Sequence, residues 1–445
     1  MMTNLTNSYV LLNVSIVDGY GGWPVHDMFV EVVYSEITQV AAMKHYKRKV
    51  GIQELSLEGH YIMPGLIDAH VHLAGGRADL EWQELEVFME HKMVRAMRSV
   101  YESQKILKRG FTSIRDISWN GLYLKRIYSD GILPGPRIIA CGPGLTRTGG
   151  HGDAFQFTEN YVRQEHFWSI FADGPDEIRK AARRVLREGA DQLKIWVSGG
   201  DNWPHDRNSD THYSLEEVQM LAQEAHMIKG TLCCAHAENN EAIRICIEAG
   251  IDTIEHGESL DEECATLMAQ KGIILVPTTG LLLSWFTEIC PTQEQTADIT
   301  KKIRPEAFFY REFDSKPDVE YGKKFVKQVL DNFALAKEKG VKIALGSDTV
   351  FEPLTEYGEY SAREFKYLVK AGLTVPEAIK AGTLTAAEAL GMSHRIGTVE
   401  PCKNADLLVV KSDPTRDVEV LYHAENIRMI ILNGRLAVEE GRFAY

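Results

Sequence analysis

The middle of the chain, from about residue 62 to residue 395, alternates between short apolar runs and longer segments of helical period. In the segment 175–189, for example, Ile178, Ala182 and Val185 fall on one helical face. Repeated strand–helix units predict parallel strands, and eight such units predict a barrel whose active site lies at the C-terminal strand ends. The eight predicted strands are 66–72, 112–117, 137–141, 192–198, 231–236, 253–255, 273–277 and 342–347.

The two ends of the chain carry a different pattern, in which short alternating runs are separated by turn residues. This pattern predicts the strands of a small sheet. Asn433-Gly434 directly follows one such run and predicts a tight hairpin of type I′. We therefore expect residues 62–395 to form one domain and residues 1–61 and 396–445 to form a second, discontinuous one.

Composition and charge exclude several classes of protein. The 445 residues include 49 Lys and Arg against 63 Asp and Glu, and the net charge of −14 argues against a nucleic-acid partner. The seven cysteines form no CxxC pair, and the chain has neither a secretory signal pattern nor an apolar run long enough to span a membrane. We expect a globular cytoplasmic protein that acts on a small molecule and contacts no membrane.

The strongest chemical signal is the run Asp68-Ala69-His70-Val71-His72 at the first predicted barrel strand. Side chains alternate along a strand, so His70 and His72 point to the same side and can bind one metal ion together. A single strand histidine is usually a core or surface residue. The pair at the end of an apolar strand favours metal ligation.

Four more residues stand in or at the end of later predicted strands: Lys194, His236, His256 and Asp348. Each has an ordinary explanation, because Asp and His often cap or hydrogen-bond where strands end. A buried Lys194 can pair with a carboxylate such as Asp348 or extend out of the barrel. Alternatively, its neutral amine takes up carbon dioxide to form a carbamate that bridges two metal ions. The combination at strands one, four, five, six and eight predicts a metal centre.

With these residues in view, the sequence resembles the amidohydrolase superfamily. MPGLIDAHVHL, LKIWVSGG, CCAHAENNEAIRICIEAGIDTIEHG and IALGSDT are similar to its successive barrel motifs, and IGTVEPCKNADLLVVKSDP to its return into the flanking domain. With GGHGD at 149–153, the spacing is most similar to the prolidase-like and imidazolonepropionase-like branch. The resemblance implies an α/β fold, a distorted (β/α)₈ (TIM) barrel with a β-sandwich built from both chain ends.

The resemblance also implies a binuclear centre, with zinc as the expected metal. One cation would be held by His70, His72 and Asp348, the other by His236 and His256, with carboxylated Lys194 as the bridge. His151 and Tyr213 match positions that contact the substrate in similar enzymes. Their alternatives are a loop-packing histidine and a tyrosine at a helix entry. Glu238 stands where many relatives have histidine, which changes the charge beside the metal site.

The implied activity is hydrolysis of an amide bond in a dipeptide or an N-acyl amino acid. A metal-bridging hydroxide would attack the carbonyl, and Asp348 would act as general base and then as general acid. Two long connections, 142–174 and 278–318, are rich in aromatic residues and allow an aromatic amide, carbamate or urea instead. A mononuclear deaminase and a non-catalytic assembly protein are weaker alternatives, because Lys194 and every ligand are present. Relatives commonly assemble, so we expect a homo-oligomer.

Overall fold

The structure alternates strands with helices and places further strands at both chain ends. It is a computed structural model that describes residues 3, 5–76, 89–154, 157–165, 168–200, 206–284, 319–350 and 356–444. Its strands are β1 (Ser8–Ile16), β2 (Val25–Val33), β3 (Glu36–Ala42), β4 (Gln53–Ser56), β5 (Tyr61–Pro64), β6 (Leu66–Val71), β7 (Phe111–Asp116), β8 (Arg137–Ala140), β9 (Gly144–Thr146), β10 (Ser169–Phe171), β11 (Gln192–Trp196), β12 (Leu232–Ala237), β13 (Thr253–His256), β14 (Ile274–Val276), β15 (Lys342–Ile343), β16 (Leu407–Val410), β17 (Ile427–Leu432), β18 (Arg435–Glu439) and β19 (Arg442–Phe443).

The helices lie mostly between the strands of the middle region. They are α1 (Lys92–Lys108), α2 (Trp119–Ser129), α3 (Glu159–Glu165), α4 (Gly174–Glu188), α5 (Leu215–His226), α6 (Asn240–Ala249), α7 (Glu262–Lys271), α8 (Thr279–Ser284), α9 (Val319–Glu338), α10 (Glu359–Lys370), α11 (Val375–Lys380), α12 (Ala386–Ala389) and α13 (Glu419–Tyr422). Among the helices described, none combines the length and apolar character needed to cross a bilayer.

Local sequence signals account for several helix boundaries. Ser214 and Glu217 form the reciprocal hydrogen bonds of a capping box at the start of α5. Pro175 stands in the first turn of α4, and Gly189 ends that helix at a φ of 104°. These contacts satisfy backbone groups that a helix end would otherwise leave without partners.

The eight predicted strands of the middle region are all present and run parallel. They belong to two sheets, with orders β6-β7-β8 and β10-β9-β11-β12-β13-β14-β15. The α/β class is therefore confirmed. Within the described residues the strand ladders do not form a closed ring. Backbone hydrogen bonds nevertheless link strands of one sheet to segments next to strands of the other, among them those from Ala69 N to Leu345 O (2.9 Å) and from Asp191 N to Ala140 O (2.7 Å).

The connection 142–174 differs from the expected long loop. It contains β9, α3 and β10, and β9 pairs in parallel with both β10 and β11. These strands have only three residues each, too few for a period of two to be recognised in the sequence. The second long connection, 278–318, begins with Thr278 and α8, and its remainder from 285 lies outside the described residues.

Strands from both chain ends join one nine-stranded sheet, in the order β19-β18-β17-β16-β5-β1-β2-β3 with β4 beside β1. The predicted hairpin is present between β17 and β18, and Asn433 and Gly434 have the positive φ values of 50° and 74° that a type I′ turn requires. The first half of β1 pairs with β4 and its end pairs with β5, so β1 connects the two parts of the sheet. The hydrogen bonds connect these strands into one sheet, whereas the family resemblance implies a β-sandwich.

The largest apolar clusters lie where strands meet helices. One packs β11, β12 and β13 against α4 to α7, with Leu193, Val218 and Ile243 fully buried. Another joins β6, β7 and β8 to α1, α10 and the terminal strands. Parallel strands covered on both faces are expected to be apolar throughout. Charged residues inside these strands therefore need a specific explanation.

Gly65 connects the terminal sheet to the first parallel strand. A Cβ atom at this position would lie 2.0 Å from Thr112 Oγ1 and 2.5 Å from Thr112 Cγ2. The backbone N–H of Gly65 also donates to the carbonyl of Asp406 in 2.8 Å. β5 and β6 can therefore approach β7 this closely only because residue 65 is a glycine and has no side chain.

We expect Gly65→Ala to lower the free energy of unfolding by about 1–3 kcal/mol, because the added methyl group overpacks this junction. Gly22→Ala is the matched control, since no atom lies within 4 Å of a Cβ built there, and should change stability by less than about 0.5 kcal/mol. Equilibrium urea unfolding measures both. Equal stability of the two variants would contradict this account of the junction.

Candidate metal centre

The histidines and the aspartate predicted as metal ligands come together at the C-terminal ends of the parallel strands. Asp348 Oδ1 lies 3.3 Å from His70 Nε2 and 3.1 Å from His72 Nε2. The ring of His256 lies 5.5 Å from that of His70 and 4.5 Å from that of His236, measured between centroids. Residues as far apart in sequence as 70 and 348 thus share one site.

The donor atoms divide into two groups, each with all of its atoms within 4.8 Å of one another. The first group is His70, His72 and Asp348, and the second is His236, Glu238 and His256. Glu238 Oε1 lies 3.5 Å from His236 Nε2. The residue that departs from the common pattern of relatives therefore adds a carboxylate to the second group.

Hydrogen bonds orient the histidines of the first group. His70 Nδ1 donates to Glu255 Oε2 (2.6 Å), and His72 Nδ1 donates to the carbonyl oxygen of Ile117 (2.9 Å). Both rings therefore direct Nε2, with its lone pair, towards Asp348. Ligating histidines are held in this way in known metal sites, where the second nitrogen donates to a carboxylate or a carbonyl.

The histidines of the second group are also held by neighbouring polar atoms. His236 Nε2 donates to the carbonyl of Gly199 (2.9 Å), which leaves Nδ1 as its acceptor nitrogen. His256 Nδ1 lies 2.8 Å from Thr278 Oγ1. His256, Thr278 and Asp348 all have positive φ, at 69°, 47° and 53°. Such conformations are uncommon for residues other than glycine and concentrate at functional sites.

A buried ion pair that the sequence did not predict orients His70 through a hydrogen bond to its Nδ1 atom. Arg115 and Glu255 are both fully buried, and Arg115 Nη2 donates to Glu255 Oε1 in 2.6 Å. Arg115 Nε also donates to the carbonyl of Ala69 (2.6 Å), next to His70 in β6. Burial acts to lower the pKa of Arg115, but the charge of Glu255 raises it above its usual value. The only sequence signal was a charged residue inside each apolar strand.

Lys194 lies in the middle of β11 and is fully buried. Its Nζ has no hydrogen-bond partner among the described residues, and the expected alternative of an ion pair with Asp348 does not occur there. Gly144 leaves room for its stem, since a Cβ at 144 would lie 2.9 Å from Lys194 Cγ. A buried ammonium without a partner is costly.

Electrostatics favour the forms of these side chains that bind metals. Burial, reinforced by the charge of Lys194, holds the pKa of His70 well below its usual value. Burial also lowers the pKa of His236, and it lowers that of His256 to about 4. Burial works to raise the pKa of Asp348, but the nearby histidines outweigh it and lower that pKa. These directions favour a neutral imidazole at His70, His236 and His256 and an ionised carboxylate at Asp348, which are the forms that ligate metals.

The two predicted substrate-contacting residues have different surroundings. His151 is buried and stacks on His236 at 4.3 Å between centroids, and its Nδ1 donates to Asp206 Oδ2 in 2.7 Å. Gly200 makes room for this stack, because a Cβ there would lie 2.4 Å from His151 Cε1. Asp206 is a further residue that sequence reasoning missed.

Tyr213 instead packs within the apolar cluster between β11 and the helices. Its hydroxyl donates to the carbonyl of Ala172 in 2.9 Å, and the residue is 2% exposed. These contacts indicate a packing role, and the role of Tyr213 in substrate binding stays a prediction.

Among the described aromatic residues of the long connections, some lie beside the site and others pack away from it. The ring of Trp168 lies 5.4 Å from that of His72, whereas Phe157 and Phe171 pack in a small cluster around Ala154. The other aromatic residues on which the sequence prediction relied lie outside the described residues: Phe155, Phe167, Trp285, Phe286, Phe308, Phe309 and Tyr310.

The fold is of the α/β class, and its parallel strands carry histidine and carboxylate donors at their C-terminal ends. These features define an α/β protein with a candidate metal centre. Residues 61–437 match the family model described as Amidohydrolase family. The chain therefore belongs to the amidohydrolase family. This confirms both the predicted family and the predicted class of enzyme, a hydrolase acting on C–N bonds.

Relatives cover most of the chain. Ochratoxinase of Aspergillus niger is 28% identical over 389 residues, which are 84% of this chain and 75% of that protein. A prolidase solved with N-methylphosphonate-L-proline is 28% identical with a TM-score of 0.82, over 97% of this chain and 99% of that one. An Xaa-Pro dipeptidase with methionine in its active site is 26% identical with a TM-score of 0.80, over 97% and 100%.

We expect Arg115→Met to lower the free energy of unfolding by about 3–5 kcal/mol, because Glu255 would keep a buried charge without its partner. Arg115→Met combined with Glu255→Gln should recover part of this loss, since no unpaired charge remains. Lys327→Met, which breaks the exposed pair with Asp331, should cost less than about 1 kcal/mol. Equilibrium urea unfolding compares all three, and equal losses in Arg115→Met and Lys327→Met would contradict this role.

Proposed function

We propose that the protein is a binuclear metal-dependent amidohydrolase that cleaves the amide bond of a dipeptide or an N-acyl amino acid. The observation that carries this proposal is the pair of donor groups, one containing His70 and one containing His236, together with the buried Nζ of Lys194, which has no hydrogen-bond partner among the described residues. Similarity to a prolidase and an Xaa-Pro dipeptidase over nearly the whole chain supports the substrate class.

The same proposal includes the architecture around the site. The two parallel sheets would be parts of one distorted (β/α)₈ barrel over residues 62–395, since backbone bonds such as Ala69 N to Leu345 O and His72 N to Thr349 O (both 2.9 Å) link β6 to the segment after β15. The nine-stranded sheet would fold over as a β-sandwich of residues 1–61 and 396–445. The apolar cluster around Leu11 and Val409 supports this arrangement.

The donor set fits two divalent cations, with zinc as the proposed metal. One would be held by His70, His72 and Asp348, and the other by His236 and His256 with Glu238 as an additional donor. Lys194, carboxylated by carbon dioxide, would supply oxygen ligands to both. When bound, the cations polarise the substrate carbonyl and lower the pKa of the attacking water.

Asp348 is the proposed general base and acid. Its Oδ1 lies 3.3 Å from Nε2 of His70 and 3.1 Å from Nε2 of His72, and these neighbours lower the pKa of the carboxyl group, which favours its ionised form. It would accept the proton of the attacking water and deliver it to the leaving nitrogen. His151, whose ring is held by Asp206 and stacks on that of His236, would contact the carbonyl or the carboxylate of the substrate.

A second candidate is hydrolysis of an aromatic amide, carbamate or urea. The indole ring of Trp168 beside His72 supports this candidate, because it offers a flat apolar surface at the site. Similarity to ochratoxinase is compatible with it. A mononuclear deaminase is less well supported, because it would use neither the second donor group nor Lys194.

We expect the purified protein to contain two equivalents of divalent metal and Lys194→Ala to lose metal and activity. The fall in kcat/KM should be about 10³-fold, since the variant removes the bridging ligand. Adding a short carboxylic acid should restore part of the activity by supplying two oxygens. Lys180→Ala, at an exposed position of α4, is the matched control. Elemental analysis with steady-state kinetics measures both variants, and full activity without metal would disprove the proposal.

We expect turnover of dipeptides, Xaa-Pro dipeptides among them, or of N-acyl amino acids by the metal-loaded enzyme. A panel that also contains aryl amides, aryl carbamates and phenylureas separates the two substrate classes. Release of free amine from each compound measures the activity. Turnover of aryl compounds without any turnover of peptides or N-acyl amino acids would favour the second candidate instead.

A further inference from the structure

A second cluster of metal-binding side chains lies at the opposite ends of two strands that carry the candidate centre. It consists of His226, the last residue of α5, Cys233 near the start of β12, and Asp252 directly before β13. His236 stands three residues after Cys233 on the same strand, which is about 10 Å along it. The two clusters are thus at different edges of the sheet.

The three donor atoms form a compact triangle. His226 Nε2 lies 2.9 Å from Asp252 Oδ2, Cys233 Sγ lies 3.4 Å from the same oxygen, and Sγ and Nε2 are 3.9 Å apart. Tetrahedral zinc with ordinary bond lengths to sulfur, nitrogen and oxygen separates its ligand atoms by about 3.3–3.6 Å. Each side of the triangle is within about 0.5 Å of this range, so small side-chain shifts suffice to bind an ion.

The backbone holds two of the ligands in place. The N–H of Cys233 donates to Asp252 Oδ2 in 2.8 Å, and the N–H of Asp252 donates to the carbonyl of Cys233 in 3.1 Å. Side chains alternate along β12, so Cys233 faces the helical layer whereas His236 faces the other side. The thiol is therefore directed at the end of α5, where His226 is located.

The cluster is accessible from one side only. Cys233 is fully buried, whereas the side chains of His226 and Asp252 are 43% and 27% exposed. An ion can therefore enter from solvent and keep a water molecule as its fourth ligand. The deeper half of the site is apolar, which excludes competing water from the thiolate.

We propose that His226, Cys233 and Asp252 bind one zinc ion, with water as the fourth ligand, at the N-terminal ends of β12 and β13. A thiolate with an imidazole is the donor combination that zinc prefers, and thiolate plus carboxylate balance its two positive charges. The thiol proton, which Cys233 donates to Asp252 in the metal-free protein, leaves to solvent when the ion binds. Affinity therefore increases with pH.

Cobalt(II) distinguishes this site from the candidate catalytic centre. Only a thiolate ligand produces a sulfur-to-cobalt charge-transfer band in the near ultraviolet, and the two histidine groups described above contain nitrogen and oxygen donors alone. The metal-depleted full-length protein, with Cys290 and Cys402 replaced by serine to remove adventitious thiols, is titrated with Co²⁺ alone. Zn²⁺ is then added to displace it.

We expect the band to reach the intensity of one thiolate-bound Co²⁺ per chain and to disappear when Zn²⁺ is added. Cys233→Ala should abolish it, and Cys246→Ala, a buried cysteine of the same apolar cluster, should leave it unchanged. His226→Ala alters a half-exposed residue, and it should weaken Co²⁺ binding at least about tenfold because one ligand is lost. Circular dichroism confirms that each variant is folded.

Three results would overturn the site. These are no charge-transfer band in the starting protein, a band that persists in folded Cys233→Ala, and a Co²⁺ affinity unaffected by His226→Ala. In each case the cluster is a hydrogen-bonded group without metal. None of these readouts uses catalytic activity, so the outcome is independent of the proposed hydrolase function.

Discussion

Charge buried inside an apolar α/β core is the constraint on which the rest of this structure depends. Arg115, Lys194 and Glu255 lie within parallel strands that helices cover on one side, and all three are fully buried. Each buried charge is expensive unless a partner compensates it. Arg115 and Glu255 compensate each other, and Glu255 also accepts from His70. Lys194, without such a partner among the described residues, is the group that an additional charged species would stabilise.

This arrangement links the fold to the chemistry of the site. The Arg115 guanidinium contacts the backbone of β6 and the carboxylate of Glu255 on β13, so it joins strands from both parallel sheets. His70 is oriented by that pair, and its Nε2 together with that of His72 meets Asp348 from the segment after β15. The positive φ of His256 and Asp348 shows that the backbone accepts unfavourable conformations to direct these side chains.

The terminal sheet contributes by fixing the position of the first parallel strand. β5 pairs with β16 from the other end of the chain and continues through Gly65 into β6. Asp406, just before β16, accepts from Arg137 of β8 and from the backbone N–H of Asn433 (2.8 Å). Both chain ends are therefore bonded to strands of the parallel region. This connection explains how residues more than 300 positions apart form one unit.

The sequence by itself determined eight of the parallel strands, the boundaries of helices such as α5, and the histidines and aspartate at the strand ends. These features follow from local periodicity, capping residues and short spacings, which act over a few residues. The tertiary structure alone decided that Glu255 and Arg115 form an ion pair next to His70 and that Asp206 accepts a hydrogen bond from His151. It also decided that the Tyr213 hydroxyl bonds to Ala172. Such contacts join residues from different strands and loops, and no local pattern encodes which distant partner a buried polar group will find.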